Sequence, residues 1–368
     1  MTDAASIRVH NVGKILKSQG HEVDYICQEG TVPGDKLTAD GSTFFGVFDE
    51  KSGKTSMARE WIFGSKAVKL LKQLLKTKHY DGVILYNAPI TTAKKVFDLC
   101  RKHDTAVFND VTEWYETKFT KGLFSFVYTT LVDRRIRTLD KRSDGIIAIS
   151  PYLENYYIEK VPVFNIPPFF NEAANPNQSK NALPKFLYAG SPSKKDELFN
   201  FIEAMKEINA EKIKAELTVI GAPIPENIKD FEAKGIYFLK RQPRETVLSA
   251  LVNHDFSLLF RYGARYAKAG YSTKVAEALF YGTPVFCNEI GGADIDIETG
   301  FNGIKVPSAD KETLKKAISD IIKLPTEKIS EMKTNAFNFG QKKYSAISYK
   351  KSLSEFIVAR IQERNGKQ

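Results

Sequence analysis

Short apolar runs rich in Val, Ile, Leu and Phe alternate along the chain with longer segments whose apolar positions recur every third or fourth residue. Runs of the first kind fit buried β-strands, and the second recurrence fits helices with one apolar face. The runs predict strands at Glu22–Ile26, Gly82–Tyr86, Ala106–Asn109, Gly145–Ile149 and Val163–Ile166. A second set is predicted at Lys185–Tyr188, Leu217–Ile220, Ile236–Leu239, Phe256–Phe260, Pro284–Cys287 and Gly303–Val306. Val68, Leu71 and Leu75 mark one intervening helix; Leu198, Phe201, Ile202 and Met205 mark another. Strands alternating with helices build parallel sheets from βαβ units.

The polar stretch Asn171–Pro184, with Pro176 and Pro184, interrupts this alternation and reads as a linker. It divides an α/β domain over 1–170 from a second over 185–340, with a helix in 341–368 expected to pack back on the first domain. The opening of the pattern is unusual. A turn-like Thr2–Ser6 is followed at once by a helix over Ile7–Gln19, with no strand ahead of it. The expectation is a first domain short of the strand that is usually central in such a sheet, through a truncated start or an atypical architecture.

Composition narrows the class. At 368 residues, 42% apolar and 27% charged, the chain is a folded protein of two-domain size, which excludes disordered, collagen-like and disulfide-scaffold classes. The longest apolar-leaning run, Leu123 to Val132, is broken by Ser125, Thr129 and Thr130 and falls well short of the roughly 18 residues a membrane span needs. No basic-then-apolar leader opens the chain, so a cytoplasmic location is expected, peripheral to a membrane at most. Cys27, Cys100 and Cys287 lie far apart in apolar segments without metal spacing and read as small buried residues. No metal site is expected, and none of the five histidines stands in a motif. Lys and Arg exceed Asp and Glu by 54 to 44, a surplus of +10 that suits an anionic partner: nucleic acid, anionic lipid or a phosphorylated small molecule. No nucleic-acid motif is present, so nucleic acid is not expected.

The stretch Phe256 to Gly292 carries the densest chemistry. A predicted strand runs into a basic loop with Arg261, Arg265 and Lys268, then Ala269 and Gly270. Tyr271, Ser272 and Thr273 lead into a predicted helix, Lys274–Tyr281, which stops at Gly282. A helix start offers outward-pointing N–H groups and the positive end of the helix dipole, so this is an anion site on physical grounds. Gly270 lets an oxygen approach the backbone closely. Arg261 and Lys274 can neutralise a diphosphate, and Glu277 is an acceptor suited to paired ribose hydroxyls. A second strand–Gly turn–helix element runs from Phe186 through Gly190, Ser191, Lys194 and Lys195 to a predicted helix Glu197–Ile208. It too can direct amides and lysines at a phosphate.

The pattern Arg261…Ala269-Gly270-Tyr271-Ser272-Thr273-Lys274-Val275-Ala276-Glu277-Ala278-Leu279, followed by Gly282-Thr283-Pro284-Val285, resembles the donor site of family-4-type glycosyltransferases. The resemblance implies the GT-B fold, two Rossmann-like α/β domains with parallel sheets facing a cleft. It also implies sugar transfer from a nucleotide-sugar, UDP- or GDP-linked, with retention of configuration and without a metal or other cofactor. Glu277 is similar to the second acid of the family's Glu-x7-Glu pair, which holds the ribose, while the first acidic position falls on Ala269. Lys195, or its neighbour Lys194, takes the place of the residue that binds the diphosphate, and Ser191 stands where the family often has Arg. Lys195 and Arg261 are then the residues that stabilise the leaving group. The loop Phe238–Pro243 matches the segment that meets the nucleobase.

In the first domain, Asp3-Ala4-Ala5-Ser6-Ile7-Arg8 resembles the family's small-residue loop near donor phosphates and acceptor, so Ser6 and Arg8 are cleft candidates. Asp110 and Glu113, leaving a predicted strand, suit either acceptor hydroxyls or structural capping. Two basic-apolar segments, Ser65–Lys78 and Lys118–Arg142, suit an anionic membrane surface or packing on their own sheet. The expected function is transfer to a saccharide, lipid-linked acceptor in cell-envelope or exopolysaccharide synthesis. The alternative, which Ala269 favours, is a catalytically silent relative that binds nucleotide or a partner glycosyltransferase.

Overall fold

The computed structural model describes residues 4–27, 36–39, 41–48, 54–120, 122–171, 176–178, 180–190 and 197–366. The chain forms two compact units: residues 1–167 with 349–368, and residues 168–348. The chain therefore crosses between units at Pro167–Pro168 and again at Ser348–Tyr349, not within Asn171–Pro184. Asn177, from that stretch, is buried in the second unit, its amide donating to the His254 carbonyl (2.7 Å) and the Thr283 hydroxyl (3.1 Å).

The first unit opens with helix α1 (Ala4–Ser18), strand β1 (Asp24–Cys27) and a hairpin of β2 (Lys36–Ala39) and β3 (Ser42–Gly46). Helices α2 (Lys54–Phe63) and α3 (Ser65–Thr77) follow, then β4 (Gly82–Tyr86), α4 (Ile90–Lys102) and β5 (Ala106–Val111). Helix α5 (Leu123–Arg134) runs through a widened turn at Arg135–Leu139 into β6 (Gly145–Ala148), α6 (Pro151–Tyr157) and β7 (Val163–Asn165). The strands form two sheets, β1-β3-β2 and β4-β5-β6-β7, parallel except for the β2–β3 hairpin. Gly13 lets α1 close onto β1, since a Cβ there would meet the Tyr25 ring, which is itself stacked on Phe44 at 4.6 Å. The sequence pattern missed β2 and β3; the dipeptide Asp-Gly at 40–41 is a hairpin signal in the sequence that could have located them. Ala4–Ser6, expected as a turn, form the first helical turn instead.

The second unit holds one six-stranded parallel sheet. Its elements are β8 (Lys185–Ala189), α7 (Leu198–Ile208), β9 (Glu216–Ile220), α8 (Ile228–Glu232), β10 (Ile236–Leu239), α9 (Arg244–Asn253) and β11 (Phe256–Leu259). Then come α10 (Arg265–Ala269), α11 (Thr273–Phe280), β12 (Val285–Asn288), β13 (Gly303–Val306), α12 (Lys311–Ile322) and α13 (Thr326–Tyr344). The last helix, α14 (Lys350–Asn365), belongs to the first unit, where Phe356 lies against Phe108 and Gly145. The strand order is β10-β9-β8-β11-β12-β13. Every residue of β11 and β12 is buried, as expected for parallel strands covered on both faces. Phe186, Phe201, Phe256, Phe260 and Phe286 interlock in the core. At Gly340, α13 approaches α11 so closely that a Cβ would come within 2.2 Å of the Leu279 carbonyl oxygen.

All three cysteines are unpaired thiols, with Cys100 and Cys287 buried; burial pushes the Cys100 thiol up to about 12. No described helix is long and apolar enough to cross a membrane.

A buried ion pair ties α13 to the sheet. Lys333 Nζ lies 2.6 Å from Asp255 Oδ1, and Asp255 also accepts from the Lys185 backbone N–H (2.9 Å) and the Asn181 amide (3.1 Å). Lys333→Met leaves this carboxylate buried beside an apolar chain and should destabilise the protein by about 3–5 kcal/mol, read by urea unfolding. Adding Asp255→Asn should recover much of that loss; an unchanged urea midpoint for Lys333→Met alone would contradict it.

Candidate functional site

A crevice of about 400 Å³ opens at the carboxyl ends of β8, β9 and β10. Its floor is Ala189, Gly190, Ile220 and Gly221, one wall is Val247 and Leu251 of α9 with Ser257 of β11, and the rim holds Arg241, Gln242, Lys274 and Glu277. Two glycines shape the floor. The Gly190 N–H donates to the Ile220 carbonyl (2.9 Å), and the Gly221 N–H to Leu239 (2.9 Å). Gly190 (φ +143°) and Gly221 (φ +93°) both take backbone conformations that disfavour side chains, and a Cβ on Gly221 would press on the Gly190 carbonyl oxygen at 3.0 Å.

Helix α11 supplies the charges. Lys274, in its first turn, lays its ammonium over the Tyr188 ring at 4.2 Å and beside Gly190, where a Cβ would come within 2.6 Å of Nζ. Glu277 is one turn further on, the same face of the helix by its spacing of three. Its carboxylate pairs with Arg244 at the start of α9, with Nη1 2.6 Å from Oε1. Cation and carboxylate thus stand side by side on one rim.

The predicted residues are distributed unevenly. Gly190, Lys274 and Glu277 come together in the crevice, with Arg241 and Gln242 of the Phe238–Pro243 loop beside them. Ser191, Lys194 and Lys195 lie outside the described residues. Arg261 lies two residues past the end of β11, its backbone N–H and carbonyl both bonded to the Asn288 side chain at 2.9 Å. Arg265 opens the short helix α10, and Gly270 closes it. Ser272 is the N-cap residue of α11; its buried hydroxyl makes no hydrogen bond among the described residues, and Thr273 beside it is exposed. Tyr271 turns its ring inward, where its hydroxyl bonds Asp296 and, at 2.7 Å, the Tyr344 hydroxyl. Burial holds the Tyr271 phenol well above its ordinary range. Its side chain therefore pins the loop from inside. Ala269 is fully buried.

The first-unit candidates are placed as follows. Ser6 lies in the first turns of α1, where a turn ahead of the helix was expected, and Arg8 lies in the same helix, as expected. Arg8 is buried with its guanidinium forked on Asp110, Nε at 2.9 Å from Oδ2 and Nη2 at 2.8 Å from Oδ1, and its Nη1 donates to the Ile166 carbonyl. The two charges thus meet in a buried pair at the strand end, the structural one of the two roles that the sequence left open for Asp110. Glu113 is exposed and accepts from the Tyr115 hydroxyl at 3.3 Å.

Sequence reasoning missed Arg244, Gly221, Val247, Leu251 and Ser257. Only Arg244 had a signal, its place at a helix start just after Pro243 in a loop already singled out.

The comparisons with known proteins accord with this geometry. The chain shares its fold with a sucrose-phosphate synthase from Thermosynechococcus elongatus (TM-score 0.74, 15% identity, 97% of this chain and 93% of that one). It likewise matches HepE of Anabaena, solved with UDP and glucose (0.65, 14%, 98% and 97%), and a glycosyltransferase of Rickettsia africae (0.68, 13%, 96% and 93%). At such identities the likeness speaks for fold alone: the GT-B type, with two Rossmann-like α/β units. Residues 169–339, which lie within the second unit, match the family described as Glycosyl transferases group 1. No curated protein sequence matches the chain.

The close approach at Gly190 gives a test of the floor. Gly190→Ala forces a side chain onto an unfavourable φ and should cost about 1–3 kcal/mol in urea unfolding. Gly263→Ala, in open space at an ordinary φ, should change little by the same measurement.

Proposed function

We propose that the crevice is the donor site and that the protein transfers a sugar from a UDP-sugar to a saccharide acceptor carried on a lipid, with retention of configuration. The single observation that carries this is the meeting of Gly190, Lys274 and Glu277 at the carboxyl ends of the sheet. Glu277 accepts from the two ribose hydroxyls, displacing or sharing Arg244. Lys274, with Arg261 and the Lys194–Lys195 pair, offsets the charge that grows on the leaving diphosphate, the positive charge coming from side chains and so requiring no metal. Ser272 and the backbone at Gly270 and Tyr271 donate to phosphate or sugar oxygens. Arg241 and Gln242 flank the base. UDP is favoured as the nucleotide because HepE, which shares the fold, was solved with UDP.

The acceptor side is supported by a surface of the first unit. Trp61 and Phe63 of α2, Phe119 in the short turn ahead of α5, and Leu123, Phe124 and Phe126 at the start of α5 are exposed; Trp61 and Phe124 have ring centroids 6.3 Å apart. Such an aromatic patch beside basic residues suits the boundary of an anionic bilayer, on its cytoplasmic face, and envelope or exopolysaccharide synthesis is the corresponding role. On the Ser65–Lys78 helix Leu71 and Leu75 are buried in the unit's own core and the lysine face is outward, so its contribution to such a surface is charge alone. A second reading rests on Ala269. With a buried methyl where relatives carry an acid, the chain would bind nucleotide without turning over a donor.

Calorimetric titration with UDP, GDP, ADP and their sugar conjugates tests the donor assignment. UDP should bind, and Glu277→Ala should weaken it by about 1–3 kcal/mol for a lost charge-assisted hydrogen bond. Unchanged affinity would remove Glu277 from the ribose, and binding without release of UDP from any UDP-sugar in the presence of lipid-linked acceptors would favour the silent reading. For the surface, replacing both Leu123 and Phe126 by Ser should lower partitioning onto anionic vesicles by at least about tenfold, given about 1.5–3 kcal/mol per buried apolar side chain. Equal partitioning of variant and parent would exclude this patch.

A further inference from the structure

The second unit has another recess, at the far end of its sheet from the crevice. Helices α7 and α12 pack side by side and run the same way. The Asn200 amide at the start of α7 donates to the Ala309 carbonyl just ahead of α12 (2.9 Å), and Glu207 near the end of α7 meets Lys311 and Lys315. Where α7 ends, the chain turns through Asn209 into β9. That turn and the last turns of the two helices enclose about 370 Å³. Lys214 of this recess stands just ahead of β9, and Gly221 of the crevice floor just past it, so the two cavities lie at opposite ends of one strand.

The charges of the recess are one-sided. Lys214, Lys315 and Lys323 line it against a single carboxylate, Glu207. That carboxylate is already met: Lys311 Nζ lies 2.6 Å from Oε1 and Lys315 Nζ 2.5 Å from Oε2. The bond from Lys311, then that from Lys315, holds the Glu207 carboxyl down at about 2. Lys214 is half-buried, and its ammonium meets no acceptor among the described residues. Lys323 reaches Asp320, one turn back, at 3.5 Å.

Lysines at a helix C-terminus commonly serve its free carbonyls, but here other groups close the ends. The Asn209 N–H returns to the Met205 carbonyl (2.9 Å), and the Asn209 amide donates to Ala215 (2.8 Å) and accepts from the Lys214 backbone N–H (2.8 Å). The backbone N–H groups of Lys323 and Leu324 close α12 on Asp320 and Ile321. The side chains of Lys214 and Lys323 bond to no carbonyl among the described residues. Beside them the lining is apolar, with Ile208 buried and Ile322 half-buried.

From this we propose that the recess is a second anion site, separate from the donor crevice, and that it takes a small phosphate ester. The phosphate lies among Lys214, Lys315 and Lys323, and the organic body rests on Ile208 and Ile322. A dianion matches an excess of two ammonium groups over carboxylate, through charge-assisted hydrogen bonds. Lys214 gains most, because a partly buried charge without a partner is costly. Glu207 opposes the ligand as a like charge, so the site is weakened by its own carboxylate.

Titration of the full chain with phenyl phosphate, read residue by residue from amide resonances, tests this. Resonances of 207–215 and 315–323 should shift together and saturate, at least about fivefold tighter than with inorganic phosphate because the ring covers apolar surface. Lys214→Gln and Lys323→Gln should each weaken this binding by about fivefold or more, and Glu207→Gln should tighten it by a similar factor. Lys72→Gln, an exposed lysine of α3, should leave it unchanged. Shifts confined to 188–190 and 273–277 would place the anion in the crevice alone and overturn the proposal. So would the absence of saturation at millimolar concentrations, or an equal loss with Lys72→Gln, which would mark general charge attraction only. Inorganic phosphate bound as tightly as phenyl phosphate would overturn the ester assignment.

Discussion

A parallel sheet covered by helices on both faces leaves its ligand-facing groups only at strand ends, and it opens a crevice only where the strand order turns back on itself. In the second unit that turning point is β8, from which the chain goes outward through β9 and β10 and then returns to β11 on the other flank. Helices leaving the two flanks diverge there, so the ends of β8 and β9 stay uncovered. Gly190 and Gly221 occupy those ends. Every other feature of the crevice depends on that reversal. Without it, Lys274 and Glu277 would lie along a helix start with nothing opposite them.

The charges follow from how α11 is placed against this floor. Its first turn reaches Gly190 because that residue has no side chain, and the Tyr188 ring below it holds the Lys274 ammonium. Its second turn carries Glu277 to the start of α9, where Arg244 meets it. The loop ahead of α11 is held from inside, through Tyr271, Asp296 and Tyr344, so its backbone keeps a defined course. A polyanion with a sugar hydroxyl pair matches this ordered set of cation, carboxylate and amides better than a uniform basic patch would.

The first unit uses its charges differently. Arg8 and Asp110 neutralise each other in the interior, and Asp140 is closed by Arg135, Asn109 and the Tyr157 hydroxyl. Desolvation of the two carboxylates is met by these bonds, as buried charge requires. Beside its exposed charged faces the unit also leaves apolar side chains outside: Leu123 is four-fifths exposed at the start of α5. The same composition of Arg, Asp and aromatic residues thus serves as a core in one place and as a surface in another.

The α/β class, most strand positions and the charged face of α11 were legible in the sequence, because each is set by local spacing. Continuous apolar runs mark strands buried on both faces, and Lys274 and Glu277 share a face by helix geometry alone. The Gly190 turn was legible for a similar reason, a glycine where a strand gives way to a helix. Tertiary structure alone decided the rest. Whether Asp110 met a ligand or Arg8, separated by 102 positions, depended on which strand ends α1 reached. Whether Ser65–Lys78 or the start of α5 kept an apolar face outward depended on which helix α4 and the sheet had already covered. The crossing points between units and the pairing of Glu277 with Arg244 arose in the same way, since long-range pairing is settled by packing, and packing leaves no period in the sequence.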